Sequence, residues 1–174
     1  MTRPLARNEI AAKIFEDIRD RPYRVALSGE KPADNCYFKG TELIRLLTTL
    51  GYTVRARVGE IDWHDGPYPA DVLALLDTSV LFTHFYPEIM MDDGNWFVLD
   101  PSWNKNFAQK YNLPFSEFGA ANMPCFRIKK LYEPDEQAPY AWGWLSDKKV
   151  IEDYMAKTGA FFAALNGWLE RENP

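Results

Sequence analysis

The chain has 174 residues, a formal net charge of −5, and a composition that is 47% hydrophobic and 15% aromatic. This composition is typical of a packed globule and excludes a disordered chain, and the length predicts a single domain over residues 1–174. The acidic balance argues against nucleic acid as a partner, because phosphate binding requires clustered basic side chains.

The first third of the chain shows helical spacing and then strand spacing. Isoleucines repeat every fourth residue between Asn8 and Pro22, which predicts an amphipathic helix with Asn8 as its cap. A polar loop follows. A second helix is predicted to begin at Cys36 and to end at Gly51, which suits the left-handed position that closes a helix. Residues 52–61 then alternate apolar and polar side chains, the pattern of a half-buried strand.

The rest of the chain is less regular. Residues 71–78 are predicted to form a short helix or an irregular segment. Residues 79–103 read as a β-hairpin, because strand-forming runs flank the turn sequence "DDGN". One further strand is predicted within "CFRIKKLY", residues 125–132. The tail, residues 147–173, is predicted to be a closing helix with Gly159 as a candidate interruption.

The start of the chain and its few cysteine and histidine residues indicate the cellular location and whether a metal is bound. The start of the chain lacks the apolar region of a signal peptide, and no stretch is suited to span a membrane, so a cytoplasmic location without membrane attachment is predicted. Cys36, Cys125, His64 and His84 are scattered without the spacing of metal ligands, and no phosphate-binding glycine loop occurs. No metal or cofactor is predicted. A Cys36–Cys125 disulfide stays open; otherwise Cys125 is predicted to be a buried apolar residue.

Cys36 is placed as a nucleophile would be. The start of a helix stabilises a thiolate, but a nucleophilic cysteine also needs a base and a group that orients the base. His84 lies in the first arm of the hairpin. Asp100 ends the second arm in an otherwise apolar run, where a carboxylate needs a partner. The turn between the arms brings the two side chains together, so Asp100 is predicted to hold the Nδ1–H of His84.

The order of these segments resembles a known group of enzymes. A cysteine that opens a helix, followed by "LGYTVRARVG" and then by "THFYPEI" and "GNWFVLDPSW", is similar to the transglutaminase-like cysteine enzyme superfamily, from about residue 9 to residue 104. The resemblance implies an α+β, papain-like fold with the cysteine helix packed on an antiparallel sheet. It also implies Cys36 as nucleophile, His84 as general base and acid, and Asp100 as the orienting carboxylate.

Three residues near this pattern call for separate expectations. Asn35 before the cysteine departs from the small residue that many members carry there. Pro87 lies within the histidine strand and lacks a donor for the sheet, so that strand is predicted to be at an edge or bulged. Glu88 matches the acidic residue after the family's histidine, and a salt bridge with Arg55 or Arg57 is the expected role.

The remaining machinery is predicted only as sets of candidates. Acyl transfer needs donors for an oxyanion, and the backbone N–H at the start of the cysteine helix is one of them. The second donor is expected from Tyr23, Ser28 or Asn35, each of which could equally be a cap or a loop contact. Trp96 and Trp103 bracket the aspartate strand and are expected either to pack over the triad or to line the cleft.

Two classes of function follow. The first is a cysteine enzyme that attacks an amide or ester carbonyl of a peptide, protein or small molecule and forms a thioester. If water accepts the acyl group the enzyme is a protease or amidase, and if an amine accepts it the enzyme is a transglutaminase. An arylamine acetyltransferase shares the Cys-His-Asp order, but its Arg-Gly-Gly-aromatic stretch is absent. The second class is a binding or scaffold module that retains the fold without turnover.

Overall fold

The computed structural model describes residues 6–141 and 147–172 as a curled four-stranded antiparallel sheet flanked by helices. The predicted α+β class is therefore confirmed. The chain also makes a 3-10 turn at Trp63–Asp65. The elements in chain order are α1 Arg7–Arg19, α2 Cys36–Thr49, β1 Val54–Ile61, α3 Ala70–Leu73, β2 Phe82–Met90, β3 Trp96–Val98, α4 Lys105–Tyr111, β4 Lys130–Leu131, α5 Ala138–Ala141 and α6 Lys148–Glu172.

The sheet has the strand order β3-β2-β1-β4. Strands β1 and β2 pair without a break from Val54 opposite Ile89 to Ile61 opposite Phe82. Strand β3 returns from the hairpin turn and pairs with the second half of β2, while β4 covers the other edge beside β1. The histidine strand β2 therefore lies inside the sheet.

The interior position of β2 contradicts the expectation raised by Pro87. Pro87 pairs with Ala56 in continuous register, and its carbonyl accepts the N–H of Leu99 at 2.9 Å. Because the nitrogen and carbonyl of one strand residue point to the same side, the missing N–H faces β3 where that strand has already ended. The predicted edge position or bulge is therefore wrong. The proline is tolerated because the pairing of β3 with β2 ends next to it, at Val98 opposite Glu88.

Helix α2 lies unusually close to β2. A Cβ atom at Gly40 would approach the ring of Phe85 to 2.6 Å, so only glycine permits this contact. On the same face, Leu43 and Leu47 are fully buried in a cluster with α1, which contributes Phe15. At the other end of α2, Gly51 has a φ of +82°, as predicted for the closing residue. The close approach at Gly40 fixes the first turn of α2 against the middle of β2.

A second, aromatic cluster fills the opposite part of the molecule. The tail helix α6 is confirmed and continues through Gly159 without the interruption considered above. Its buried side chains pack around Trp63, which makes edge-to-face contacts with Phe82, Phe126, Phe161 and Phe162. The predicted strand over 125–132 shrinks to Lys130–Leu131, since the N–H of Cys125 bonds a side chain instead of a strand.

Lys39 is fully buried, with 0% of its surface exposed. Its ammonium donates to the carbonyl of Arg19, the last residue of α1, at 3.0 Å and to that of Arg21, just after the helix, at 2.5 Å. It also donates to the carbonyls of Pro101 and Ser102 at 3.2 Å each. Burial lowers the pKa of Lys39 to about 8, so the amine is still charged at neutral pH. One cation thus joins α2 to two distant segments.

We expect Lys39→Met to lower the free energy of unfolding by about 2–4 kcal/mol, because four buried carbonyls lose their donor. Urea denaturation monitored by circular dichroism measures the change. The matched control is Lys13→Met in α1, whose exposed ammonium pairs only with Asp17 and whose loss is expected to cost less than about 0.5 kcal/mol. Equal stability of the two variants would show that the buried ammonium does not hold these segments.

Candidate active site

Cys36 is the first residue of α2. Asn35 precedes the helix in an extended conformation, and its side-chain oxygen accepts the N–H of Phe38 at 3.0 Å. This cap satisfies one of the free N–H groups at the helix start. Cys36 is partly exposed and Cys125 is buried, and both are free cysteines. The Cys36–Cys125 disulfide that the sequence left open is therefore not formed. Cys36 lines a cavity of about 480 Å³.

His84 lies in the middle of β2, opposite Gly59 of β1, with 1% of its surface exposed. Its Nε2–H donates to Asp100 Oδ2 at 2.6 Å. The predicted His84–Asp100 pair is therefore present, but the predicted nitrogen is wrong. Asp100 lies two residues beyond the end of β3, where the chain has left the sheet, and from there its carboxylate meets Nε2.

Asp100 is fully buried, and four donors surround its carboxylate. Oδ1 accepts the N–H and the hydroxyl of Ser102 at 3.0 and 2.7 Å. Oδ2 accepts the N–H of Cys125 at 2.7 Å in addition to the His84 bond. Burial raises the pKa of Asp100, but the charge and hydrogen bond of His84 outweigh it, together with the bonds from Ser102 and Cys125, and the pKa is lowered. The carboxyl is thus held ionised.

Cys125 therefore has a role that the sequence did not indicate. It is buried, as predicted, but its backbone N–H is one of the donors to Asp100. Burial and the nearby carboxylate raise the pKa of its thiol well above the ordinary value. Cys125 is thus a buried thiol with a raised pKa whose backbone N–H supports the Asp100 carboxylate.

The Cys36 thiol and the His84 ring act on each other. Burial lowers the pKa of His84, but the Asp100 carboxylate and the contact with Cys36 outweigh it and raise the pKa to about 10. Burial raises the pKa of Cys36, but the contact with His84 and its charge, followed by the N–H of Phe85, outweigh it and lower the pKa. These shifts favour a thiolate beside an imidazolium.

The contact between the sulfur and the ring is not a well-aligned hydrogen bond. The Nδ1 atom of His84 has no partner of conventional geometry within residues 6–141 and 147–172. The two groups are close enough to shift each other's pKa, yet the ring makes no conventional hydrogen bond to the sulfur. Catalytic hydrogen bonds in substrate-free enzymes are often long or misaligned in this way.

Of the three candidate oxyanion donors, Tyr23 contacts Cys36. Its hydroxyl meets both the side chain and the backbone N–H of that residue. Burial, with the charge of Cys36, raises the pKa of Tyr23, so the phenol keeps its proton. Asn35 and Ser28 also line the cavity, and the side-chain oxygen of Asn35 accepts the bond that caps α2.

The two tryptophans lie elsewhere. Trp96 stacks under the guanidinium of Arg55, 4.1 Å from its ring centre, and Arg55 bonds Glu88 at 2.6 Å, which confirms the predicted salt bridge. Trp103 is buried and packs on the ring of Tyr23, with centroids 4.8 Å apart. Neither tryptophan lines the cavity beside Cys36, so the cleft role considered for both is wrong.

Sequence reasoning missed several supporting residues. Ser102 carries a recognisable signal, because a serine two residues after an aspartate commonly closes a local hydrogen-bonded turn. Lys39 lies one helical turn from Cys36 on the stripe that faces the core, where a charged residue is out of place. Ser116, whose hydroxyl accepts the N–H of Asp100 at 3.1 Å, is 16 residues away and gave no signal.

Comparisons with protein-family models, curated proteins and solved structures found no match to this chain. Across the described ranges, no group of three or more His, Cys, Asp and Glu side chains is arranged to hold a metal ion. None of the helices in those ranges combines the length and the apolar character needed to cross a membrane. The site is therefore interpreted from its own geometry.

We expect iodoacetamide to alkylate Cys36 rapidly at pH 6, because its lowered pKa keeps the thiolate populated where an ordinary thiol of pKa about 8.5 is roughly 0.3% ionised. In His84→Gln the imidazolium is lost and burial dominates, so the rate at pH 6 should fall at least about tenfold. Mass spectrometry of timed samples measures the rates. Cys125 is the internal control and should stay unlabelled; equal labelling of both cysteines would contradict the assignment.

Proposed function

We propose that this chain is a thiol-dependent acyl-transfer enzyme with Cys36, His84 and Asp100 as its triad, on a papain-like core of the transglutaminase-like type. The observation that carries the proposal is the contact between Cys36 and a buried His84 that is itself bonded to Asp100 at 2.6 Å. The pKa of the thiol is lowered as nucleophilic attack requires, and Cys36 faces a cavity large enough for a small-molecule substrate.

The first half of the reaction forms a thioester. The Cys36 thiolate attacks the carbonyl carbon of an amide or ester, and the C=O electron pair moves to oxygen to give a tetrahedral intermediate. The intermediate collapses, the bond to the leaving amine or alcohol breaks, and the imidazolium of His84 gives that group a proton. Because Nε2 is held by Asp100, Nδ1 is the nitrogen that transfers the proton.

The second half releases the acyl group. His84, now neutral, takes a proton from water or an amine as that acceptor attacks the thioester. The tetrahedral intermediate then expels the Cys36 thiolate, and the imidazolium–thiolate pair is restored. Water gives hydrolysis and an amine gives transfer. Asp100 stabilises the imidazolium in both halves and stays ionised throughout.

Tyr23 is the second oxyanion donor in this mechanism. Its hydroxyl is close enough to Cys36 to interact with both the side chain and the backbone N–H of that residue. A developing alkoxide beside the sulfur can accept from both groups. The packing of Trp103 against the Tyr23 ring fixes the position of the phenol before substrate arrives, which is the condition for effective electrostatic stabilisation.

The triad predicts unequal and non-additive losses. Cys36→Ala should abolish turnover of p-nitrophenyl acetate, His84→Ala should lower kcat/KM about 10³-fold or more, and Asp100→Asn should lower it about 10–10³-fold. The His84→Ala, Asp100→Asn double variant should be no worse than His84→Ala alone. Initial rates give the values, with circular dichroism as the test of folding.

The matched control for the carboxamide change is Asp71→Asn on exposed α3, which should leave the rate unaltered. Losses in the double variant that equal the product of the single losses would mean that His84 and Asp100 act independently, which contradicts a triad. Trapping the acylated Cys36 by mass spectrometry after acid quench tests the thioester directly.

We expect Tyr23→Phe to lower kcat by about 10–10³-fold with KM nearly unchanged, because an oxyanion donor acts only in the transition state. The variant keeps the ring that packs on Trp103. Tyr37→Phe, which removes another hydroxyl from the same cavity, is the control and should change kcat less than about threefold. A Tyr23→Phe enzyme with wild-type kcat would assign the donor elsewhere.

A further inference from the structure

The cavity beside Cys36 is mostly apolar. Its walls come from five places: the loop before α2, the first turn of α2, β2 together with the 3-10 turn, Tyr140 of α5, and α6 as far as Phe162. Aromatic rings dominate the surface next to the nucleophile. Those from the sheet side and from α6 are Trp63, Phe82, Phe85, Tyr154 and Phe162. A volume of about 480 Å³ is comparable with pockets that hold small organic ligands.

The charged residues of this cavity are paired with protein groups. Glu30 accepts two bonds from the guanidinium of Arg24, both at 2.7 Å, and the N–H of Leu27 at 2.8 Å. Lys148 and Glu152 form an ion pair on α6 at 3.6 Å, with most of both side chains in solvent. Among the described lining residues, these three are the charged ones. A charged substrate group would find no free counter-charge there.

The polar group nearest the sheet is also occupied. Thr83 lines the cavity, but its hydroxyl donates to the carbonyl of Tyr140 at 2.7 Å. The Tyr23 hydroxyl is directed at Cys36 rather than at the far wall. The polar groups that could hold a reacting carbonyl are thus concentrated at Cys36, and most of the remaining wall is apolar.

A second cavity, of about 570 Å³, lies against Cys125, Phe126 and Trp103. It does not reach Cys36. Of its charged groups, Asp65 lies 3.7 Å from Arg127, and Asp62 accepts the N–H of His64 at 2.9 Å. An acyl group attached to the Cys36 sulfur has access to the first cavity and not to this one.

We propose that the cavity beside Cys36 binds the acyl group of the substrate, and that this group is neutral and apolar: an aromatic or aliphatic acyl group larger than acetyl. The proposal rests on the proposed function and specifies its substrate class. Burial of the acyl group against the aromatic walls supplies binding energy, while the carbonyl stays at Cys36 and Tyr23. A carboxylate or ammonium at the far end of the acyl group would be desolvated without a partner.

A series of p-nitrophenyl esters tests the acyl preference. The acyl groups are acetyl, butyryl, hexanoyl and adipoyl, of which the last matches hexanoyl in length but ends in a carboxylate. After correction for the alkaline hydrolysis rate of each ester, kcat/KM should rise about 3–4-fold per methylene from acetyl to hexanoyl. Adipoyl should lie at least about 100-fold below hexanoyl. A flat series, or a preference for adipoyl, would overturn the proposal.

A charge placed in the cavity wall tests where the acyl group lies. Met155 of α6 lines the cavity, so Met155→Glu should lower kcat/KM for hexanoyl at least about tenfold and for acetyl less than about threefold. Val150→Glu puts the same charge on the same helix at a position that is 44% exposed, and it should change neither value. Equal loss for both esters in Met155→Glu would place the acyl group elsewhere.

Ester turnover separates failure of this proposal from failure of the proposed function, while alkylation reports on the cavity alone. The rates of iodoacetamide and N-hexyl iodoacetamide at Cys36 are compared in wild type and Met155→Glu, since these reactions need no acyl transfer. If esters are turned over with acetyl preferred, the enzyme assignment stands and the substrate class is wrong. If no ester is turned over, the proposed function fails, and with it the acyl proposal, whatever the alkylation rates show about the cavity.

Discussion

The buried carboxylate of Asp100 is the group on which the site depends. A desolvated carboxylate is very costly unless its oxygens are hydrogen-bonded, and here four donors from three segments converge on it. Satisfying those donors fixes the His84 ring on β2, the turn at Ser102 and the loop at Cys125. The same bonds that stabilise this part of the fold therefore also fix the orientation of the His84 ring.

Lys39 plays the corresponding part for the nucleophile. It lies one turn after Cys36 on α2, and its ammonium binds carbonyls of the segment that leads to Tyr23 and of the turn that follows Asp100. The helix start, the phenol and the carboxylate turn are thus tied to one cation. The bonds of Lys39 and the close approach of Gly40 to Phe85 together position α2 against β2. They therefore determine how far the Cys36 sulfur lies from the His84 ring.

The sequence predicted the parts of the site that local patterns encode. Cys36 could be placed because helix spacing and a capping residue mark where α2 begins, and the His84–Asp100 pair because a hairpin turn brings its two arms together. Cys125 and Ser116 could not be found, because the loops that carry them are positioned by long-range packing. The choice of Nε2 was missed for a related reason: it depends on where the chain leaves β3, which strand periodicity does not encode.

The charges buried around the site also explain why the proposed thioester step is compatible with the fold. Before attack, thiolate and imidazolium balance each other. The charge of Asp100 also acts on Lys39 and raises its pKa against the larger effect of burial. Acylation removes the charge on sulfur, and proton transfer to the leaving group removes the charge on the ring. Both losses occur together, so the buried net charge is unchanged. The Asp100 carboxylate then keeps its hydrogen bonds and the nearby ammonium, which lets it remain ionised until the imidazolium forms again.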